Sequence, residues 1–175
     1  SLSSAVASNK KIKKIYEEKP TVTEMTNPVK LKKVGGKVSF DHVSFHKADQ
    51  HEILHDICFT VEEGKTLGIM GATGAGKTSI IQLLQRMYDA TDGAIYLDDV
   101  DIRTLTLEQL RTSVSYVMQD VFLFSDTINE NIKLGKKSCL DFNTVRKAST
   151  DAQASEFIER MAKQYDTVIG ERGVG

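Results

Sequence analysis

An α/β fold with an antiparallel β subdomain is predicted for this chain from three features of its hydrophobic pattern. Apolar and polar residues alternate with the period of a strand through Val38–Phe45 and again through Ile53–Val61. A short apolar run, Thr66–Met70, leads directly into a glycine-rich loop. Beyond that loop, apolar residues recur at helical spacing. A buried strand, a loop and a helix in this order are typical of layered α/β folds.

The first two predicted strands form an antiparallel unit. The alternation through Val38–Phe45 slips near Asp41-His42, which predicts a turn or irregularity there. The second strand carries Ile57, Phe59 and Val61 on one face. Four histidines lie in this β-rich stretch at spacings that predict no common face with a carboxylate partner: His42, His46, His51 and His55.

The next elements belong to the layered core. Thr66–Met70 and Val114–Met118 are short apolar runs, which predicts two buried strands of a parallel sheet. A helix is expected to begin near Gly76, because four apolar residues after it share one helical face: Ile80, Leu83, Leu84 and Met87.

Turn and capping signals divide the rest of the chain. Asp92-Gly93 predicts a turn before a strand at Ala94–Leu97, and Asp98-Asp99 a hairpin turn rather than a cation site. Threonine three residues before Gln109 and before Glu130 predicts two helix N-termini, at Thr106 and Thr127. Further helices are expected around Asn143–Gln153 and Glu156–Gln164.

Two segments precede the first strand. Ala5–Glu18 has a weakly amphipathic helical pattern that stops before Pro20. The polar stretch Thr21–Gly36 has no periodicity and predicts a linker. The basic run Lys10–Lys14 is interpreted as a solvated helix face, with proximity to anionic lipid as the alternative.

Composition excludes several classes of function. The chain has 175 residues, 40% hydrophobic and 27% charged, with a formal net charge of -1, so it lacks the global positive charge of a nucleic-acid-binding protein. Cys58 and Cys139 have no metal-ligand spacing, which predicts reduced thiols rather than a disulfide or zinc site. No apolar run reaches the ~20 residues that span a bilayer.

The glycine-rich loop matches a phosphate-binding motif in full. G-x-x-x-x-G-K-[ST] is satisfied by Gly71, Ala72, Thr73, Gly74, Ala75, Gly76, Lys77 and Thr78. Its glycines allow backbone N–H groups to surround phosphate oxygens, and the helix N-terminus adds partial positive charge. Lys77 is expected to reach the β- and γ-phosphates, Thr78 to ligate Mg²⁺ and Ser79 to bind the α-phosphate. The motif predicts binding of a magnesium nucleoside triphosphate.

Further segments carry a resemblance to a known family. They are Val38–Phe45, Ile53–Lys65, the Val117-Met118-Gln119-Asp120 sequence, Phe122–Ile132 and Tyr165–Gly173. Together with the phosphate loop they resemble the nucleotide-binding domain of ATP-binding cassette (ABC) proteins, particularly bacterial exporters of the multidrug or lipid type. The likeness runs from about Val38 to Gly175.

The resemblance implies a P-loop NTPase of the ABC type, with an antiparallel β subdomain and part of a helical subdomain, the C-terminal part being absent. It divides the chain into a helix continuing from a transmembrane domain at 1–19, a linker at 20–36, the ATP-binding core at 37–118, and the Q-loop with a partial helical subdomain at 119–175.

The resemblance also implies roles for individual residues. Gln119 matches the Q-loop glutamine, which contacts Mg²⁺ and the attacking water. Glu171 and Arg172 match a loop that touches the transmembrane domain. The implied cofactors are ATP and Mg²⁺, and the implied partners are a second nucleotide-binding domain, identical or different, and the transmembrane domain of the same exporter. This places the chain at the cytoplasmic face of the cell membrane.

Two departures from the family pattern affect activity. Lys47, beside His46, stands where the family usually has an aromatic residue stacked on adenine, which leaves base recognition open. The family's signature sequence, Walker B acid and switch histidine follow the position of Gly175. The whole protein is therefore expected to be a transport-coupled ATPase, whereas this chain is expected to bind ATP without hydrolysing it.

Two alternatives remain at the level of sequence. One is a soluble P-loop phosphotransferase such as a small-molecule kinase, although no lid or acceptor pocket is evident. The other is a non-transport ABC protein acting on nucleic acid, which the lack of interleaved basic and aromatic residues disfavours.

Overall fold

The computed structural model describes residues 9, 12–13, 20–46, 52–118, 122–134 and 140–170. The chain forms two compact units, 1–116 and 117–175. Residues 9, 12 and 13 are helical, and the rest of the predicted N-terminal helix lies outside the described residues. Among the described residues no helix has the length and apolar character needed to cross a membrane.

The first unit contains a four-stranded antiparallel sheet of order β2-β1-β3-β4. Its strands are β1 (Val38–His46), β2 (Glu52–Val61), β3 (Asp92–Leu97) and β4 (Val100–Asp101). The predicted antiparallel pair is confirmed. The turn predicted at Asp92-Gly93 is wrong, because both residues lie inside β3, whereas the Asp98-Asp99 turn joins β3 to β4 with φ of 51° and 64°.

The predicted irregularity in β1 is a β-bulge. Phe40 pairs with Phe59 and Val43 with Ile57, so β1 has one residue more than β2 over this interval. The extra residue is accommodated by His42, whose φ is 49°. Such bulges bend a strand and re-aim its side chains.

Helix α1 (Lys77–Leu84) packs the buried side chains of Ile80 and Leu83 into the core of the first unit. It ends before Met87, earlier than predicted, because Arg86 takes a left-handed backbone conformation with φ of 49°. The guanidinium of Arg86 is buried and pairs with Asp89 at 2.8 Å. A 3-10 turn (Ile102–Thr104) and α2 (Leu107–Ser113) complete the unit.

The two predicted parallel strands are not formed. Thr66–Met70 and Val114–Met118 have no strand structure, because a strand exists only when a neighbour pairs with its backbone groups. Both segments contain exposed apolar side chains: Met70 is 96% and Val117 92% exposed. Within the first unit a groove of about 220 Å³ separates α1 from β1 and β2, with Leu67 and Ile69 along it.

The stretch predicted as a linker is bound along the first unit. The Gln109 side chain accepts a hydrogen bond from the Leu31 N–H (2.9 Å) and donates one to the Leu31 carbonyl (2.7 Å). The Asp98 carboxylate accepts hydrogen bonds from the N–H groups of Gly35, Gly36 and Lys37. The division of the chain into linker and core at residue 36 stays a prediction.

The second unit is a small helical cluster. Its elements are β5 (Asp126–Thr127), α3 (Ile128–Ile132), α4 (Phe142–Asp151), α5 (Ser155–Glu159), a 3-10 turn (Gln164–Asp166) and β6 (Val168–Ile169). The cap predicted at Thr127 is confirmed, since its hydroxyl accepts from the Glu130 N–H at 3.1 Å. The helix predicted at Glu156–Gln164 is shorter than expected and ends at Glu159.

Candidate nucleotide-binding site

The phosphate loop joins a segment without regular secondary structure to the first residue of α1. A turn within it is closed by the Ala75 N–H, which donates to the Ala72 carbonyl at 3.2 Å. Gly74 and Gly76 have φ of 84° and 83°. This left-handed conformation is costly for residues with a Cβ, which explains the two glycines.

Gly76 is also fixed by its surroundings. A Cβ added there would lie 2.8 Å from Leu54 Cδ2 and 2.9 Å from the Ile53 carbonyl oxygen. The loop therefore rests directly on the beginning of β2, and a larger residue at position 76 would displace it.

The N-terminus of α1 has the character of an anion site. Gly76 is its N-cap and contributes no side-chain hydrogen bond, and the first turn contains no acidic residue. The helix dipole is therefore left without a negative partner from these residues. Thr78 is exposed on this turn, whereas Ser79 is only 9% exposed.

The Lys77 side chain folds back over the loop. Its Nζ donates hydrogen bonds to the carbonyl oxygens of Gly71 and Ala72, both at 2.7 Å. The ammonium is thus held where the loop's backbone would surround a phosphate. The structure therefore brings the Lys77 side chain to the first two residues of the motif.

His46 lies at the end of β1 near the phosphate loop. It pairs across the sheet with Glu52, the residue before the Ile53 that contacts Gly76. The His46 N–H donates to the Thr91 hydroxyl at 3.0 Å, and its Nε2 lies 3.6 Å from a Glu52 carboxylate oxygen. A contact between His46 and a nucleotide base stays a prediction.

The prediction that the histidines lack carboxylate partners is wrong. The His42 and Asp56 side chains are 2.6 Å apart, and those of His55 and Glu52 are 2.8 Å apart. These hydrogen bonds to carboxylates raise the pKa of both imidazoles. The pairs were missed because irregular register, rather than simple alternation, brings them together.

The sequence also predicts site residues at positions that the structure does not describe. Lys47, Gln119, Glu171 and Arg172 all lie outside the described residues. Their roles stay predictions.

Comparison with known proteins gives the family. The ABC transporter family model matches residues 54–173. The chain is 40% identical over 168 residues to the ABC transporter ATP-binding protein YknV of Bacillus subtilis, covering 96% of this chain and 28% of that protein. It is also 40% identical over 147 residues to the ATP-dependent lipid A-core flippase of Methylococcus capsulatus, covering 83% of this chain and 24% of the flippase.

A solved structure shows the same fold. A bacterial Atm1-family ABC exporter with ATP bound superposes with a TM-score of 0.86 at 35% identity, covering 96% of this chain and 30% of that one. The chain belongs to the ABC transporter family and has the ABC-type P-loop fold. It corresponds to part of the nucleotide-binding domain of ABC exporters and spans less than a third of the length of these relatives. A kinase and a nucleic-acid-directed ABC protein fit these findings less well.

Proposed function

We propose that this chain binds MgATP and, in the whole protein, couples ATP binding and hydrolysis to export across a membrane. The observation that carries the proposal is the position of Lys77, whose ammonium lies over the phosphate loop at the N-terminus of α1, where no side chain caps the helix. Such a loop binds phosphate through backbone N–H groups, the helix dipole and one lysine.

The described residues suit a triphosphate and its metal ion. Residues Gly71–Ser79 form the phosphate site, with Lys77 on the β- and γ-phosphates and Ser79 toward the α-phosphate. The exposed Thr78 hydroxyl is the type of oxygen ligand that Mg²⁺ accepts. When bound, Mg²⁺ neutralises charge on the phosphate oxygens. His46 and Lys47 would lie along the base.

The catalytic step is assigned to the assembled protein. Lys77 would stabilise charge on the γ-phosphate, and Gln119 would ligate the metal ion and orient the attacking water. We propose that a second nucleotide-binding domain and the transmembrane domain are the partners, with Glu171 and Arg172 at the contact to the latter. This arrangement lies at the cytoplasmic face of the membrane.

A thermal-unfolding measurement tests the proposal. MgATP at 100 times its Kd should stabilise the chain by about 2.7 kcal/mol, because it binds the folded state alone. Lys77→Ala should remove this stabilisation while leaving the midpoint without nucleotide unchanged. An equal shift in both proteins would contradict the proposed site.

A further inference from the structure

The β1 bulge brings three different metal-binding side chains together on one surface. Because β1 has an extra residue there, Asp41 and His42 both lie opposite the single residue Cys58 of β2. Neighbours in a regular strand face opposite sides of a sheet. Here Asp41, His42 and Cys58 are all exposed, so the bulge presents both neighbours to solvent beside the cysteine.

The distances within this cluster suit a small cation. One ligand atom from each of Asp41, His42 and Cys58 lies within 4.8 Å of the others. The His42 Nε2 is 4.0 Å from an Asp41 carboxylate oxygen. Ligands of a tetrahedral zinc ion are roughly 3.3–3.6 Å apart, given its bond lengths. The three side chains are exposed, so small rotations can bring their ligand atoms closer together.

A fourth side chain orients the imidazole. The His42 Nδ1 lies 2.6 Å from an Asp56 carboxylate oxygen. With Nδ1–H donating to Asp56, the Nε2 lone pair is available to a metal ion. Metal-binding histidines usually have such a carboxylate on their other nitrogen, which fixes the tautomer and the ring orientation.

The charge of the cluster favours a cation. Carboxylate oxygens of Asp41 and Asp56 lie 4.0 Å and 2.6 Å from the two His42 ring nitrogens, so negative charge lies beside the position that a cation would take. Cys58 is a free, exposed thiol. Sulfur and imidazole ligands favour Zn²⁺ over Mg²⁺ or Ca²⁺, which prefer oxygen alone.

We propose that Asp41, His42 and Cys58 form a surface binding site for Zn²⁺, with Asp56 orienting the imidazole and water completing the coordination. The ion would link β1 to β2 across the bulge. These residues are separate from the phosphate loop, so the site is expected to fill without nucleotide.

Titration of the chelator-treated, reduced, nucleotide-free chain with Zn²⁺ and with Co²⁺ tests the proposal. One equivalent should bind, and the cobalt form should show a thiolate-to-metal charge-transfer band. Cys58→Ser should abolish that band. Both Cys58→Ser and His42→Asn should weaken Zn²⁺ binding at least about tenfold, because even the loss of a group that orients a metal ligand typically costs about 10–100-fold in affinity.

Matched variants separate this site from other thiols and histidines. His55→Asn removes an exposed histidine that also bonds a carboxylate but belongs to no metal-binding cluster among the described residues, and it should bind Zn²⁺ as the unchanged chain does. Cys139→Ser should keep the cobalt band. Circular dichroism confirms that each variant is folded. A band lost with Cys139→Ser instead of Cys58→Ser, or unchanged Zn²⁺ affinity in His42→Asn, would overturn the proposal.

Discussion

The Nζ atom of Lys77 lies 2.7 Å from the carbonyl oxygen of Gly71, six residues earlier in the chain. This bond spans the whole phosphate loop and keeps the ammonium above it. A phosphate group entering the loop offers negatively charged oxygens in place of the neutral carbonyl, so the ammonium gains an attraction between opposite charges. The loop is therefore arranged to exchange an internal contact for a stronger one with nucleotide.

Weak base selectivity is the first prediction. Lys47 stands in place of the family's stacking ring, and stacking on a base is worth roughly 1–3 kcal/mol. In a competition titration, GTP should therefore displace labelled ATP nearly as well as unlabelled ATP does. A preference for ATP above about 100-fold, some 2.7 kcal/mol, would show that another residue contacts adenine.

The chain by itself should bind ATP without hydrolysing it. Hydrolysis requires a positioned water, a group that orients it and charge stabilisation around the γ-phosphate. Of the groups that perform these tasks, the sequence predicts the loop, Lys77, Thr78 and Gln119. A phosphate-release assay should give background rates; turnover that Lys77→Ala removes would mean that these residues suffice.

The apolar groove beside α1 should make the chain self-associate. Ile69, 40% exposed, lines the groove, and its segment has no strand partner. Unpaired apolar segments of this kind favour association between chains. Ile69→Lys should shift the oligomer–monomer equilibrium toward monomer in sedimentation experiments. Met87→Lys, at a similarly exposed position outside the groove, should not; equal effects would show that the groove is not the contact.

Gly93 should be intolerant of alanine because of the β1 bulge. A Cβ at this position would overlap the carbonyl oxygens of His42 and Asp41, and its φ of 77° is unfavourable for alanine. Gly93→Ala should lower the free energy of unfolding by about 2–4 kcal/mol. Gly68→Ala is the control, since a Cβ there meets nothing within 4 Å. Similar denaturation midpoints for the two variants would contradict the bulge geometry.

Local signals in the sequence predicted the elements that depend on neighbouring residues. The phosphate loop and the start of α1 follow from glycine positions and helical spacing, and the cap at Thr127 from its distance to Glu130. The irregularity at Asp41-His42 is also local, because an alternation that slips by one residue marks an extra residue in the strand.

Contacts between residues that are far apart in the sequence could not be predicted from local sequence patterns. The spacing of Thr106 and Gln109 predicts a helix N-terminus, and the Gln109 N–H does donate to the Thr106 hydroxyl. The Gln109 side chain, however, bonds the backbone of Leu31 rather than the backbone at the start of its own helix. Asp98 is of a residue type common in turns, and its carboxylate also accepts hydrogen bonds from three backbone N–H groups that lie 61 to 63 residues away in the sequence. Thr66–Met70 has strand composition but no partner, and pairing cannot be inferred from one segment.

Titration calorimetry of MgATP onto the chain and its Lys77→Ala variant tests the central claim most directly. Lys65→Ala, which removes an exposed lysine in the turn after β2, is the control for loss of one positive charge. The account predicts one binding site in the unchanged chain and in Lys65→Ala, and no measurable binding in Lys77→Ala. MgATP affinity in Lys77→Ala equal to that of the unchanged chain would contradict the assignment of the phosphate loop as the nucleotide site.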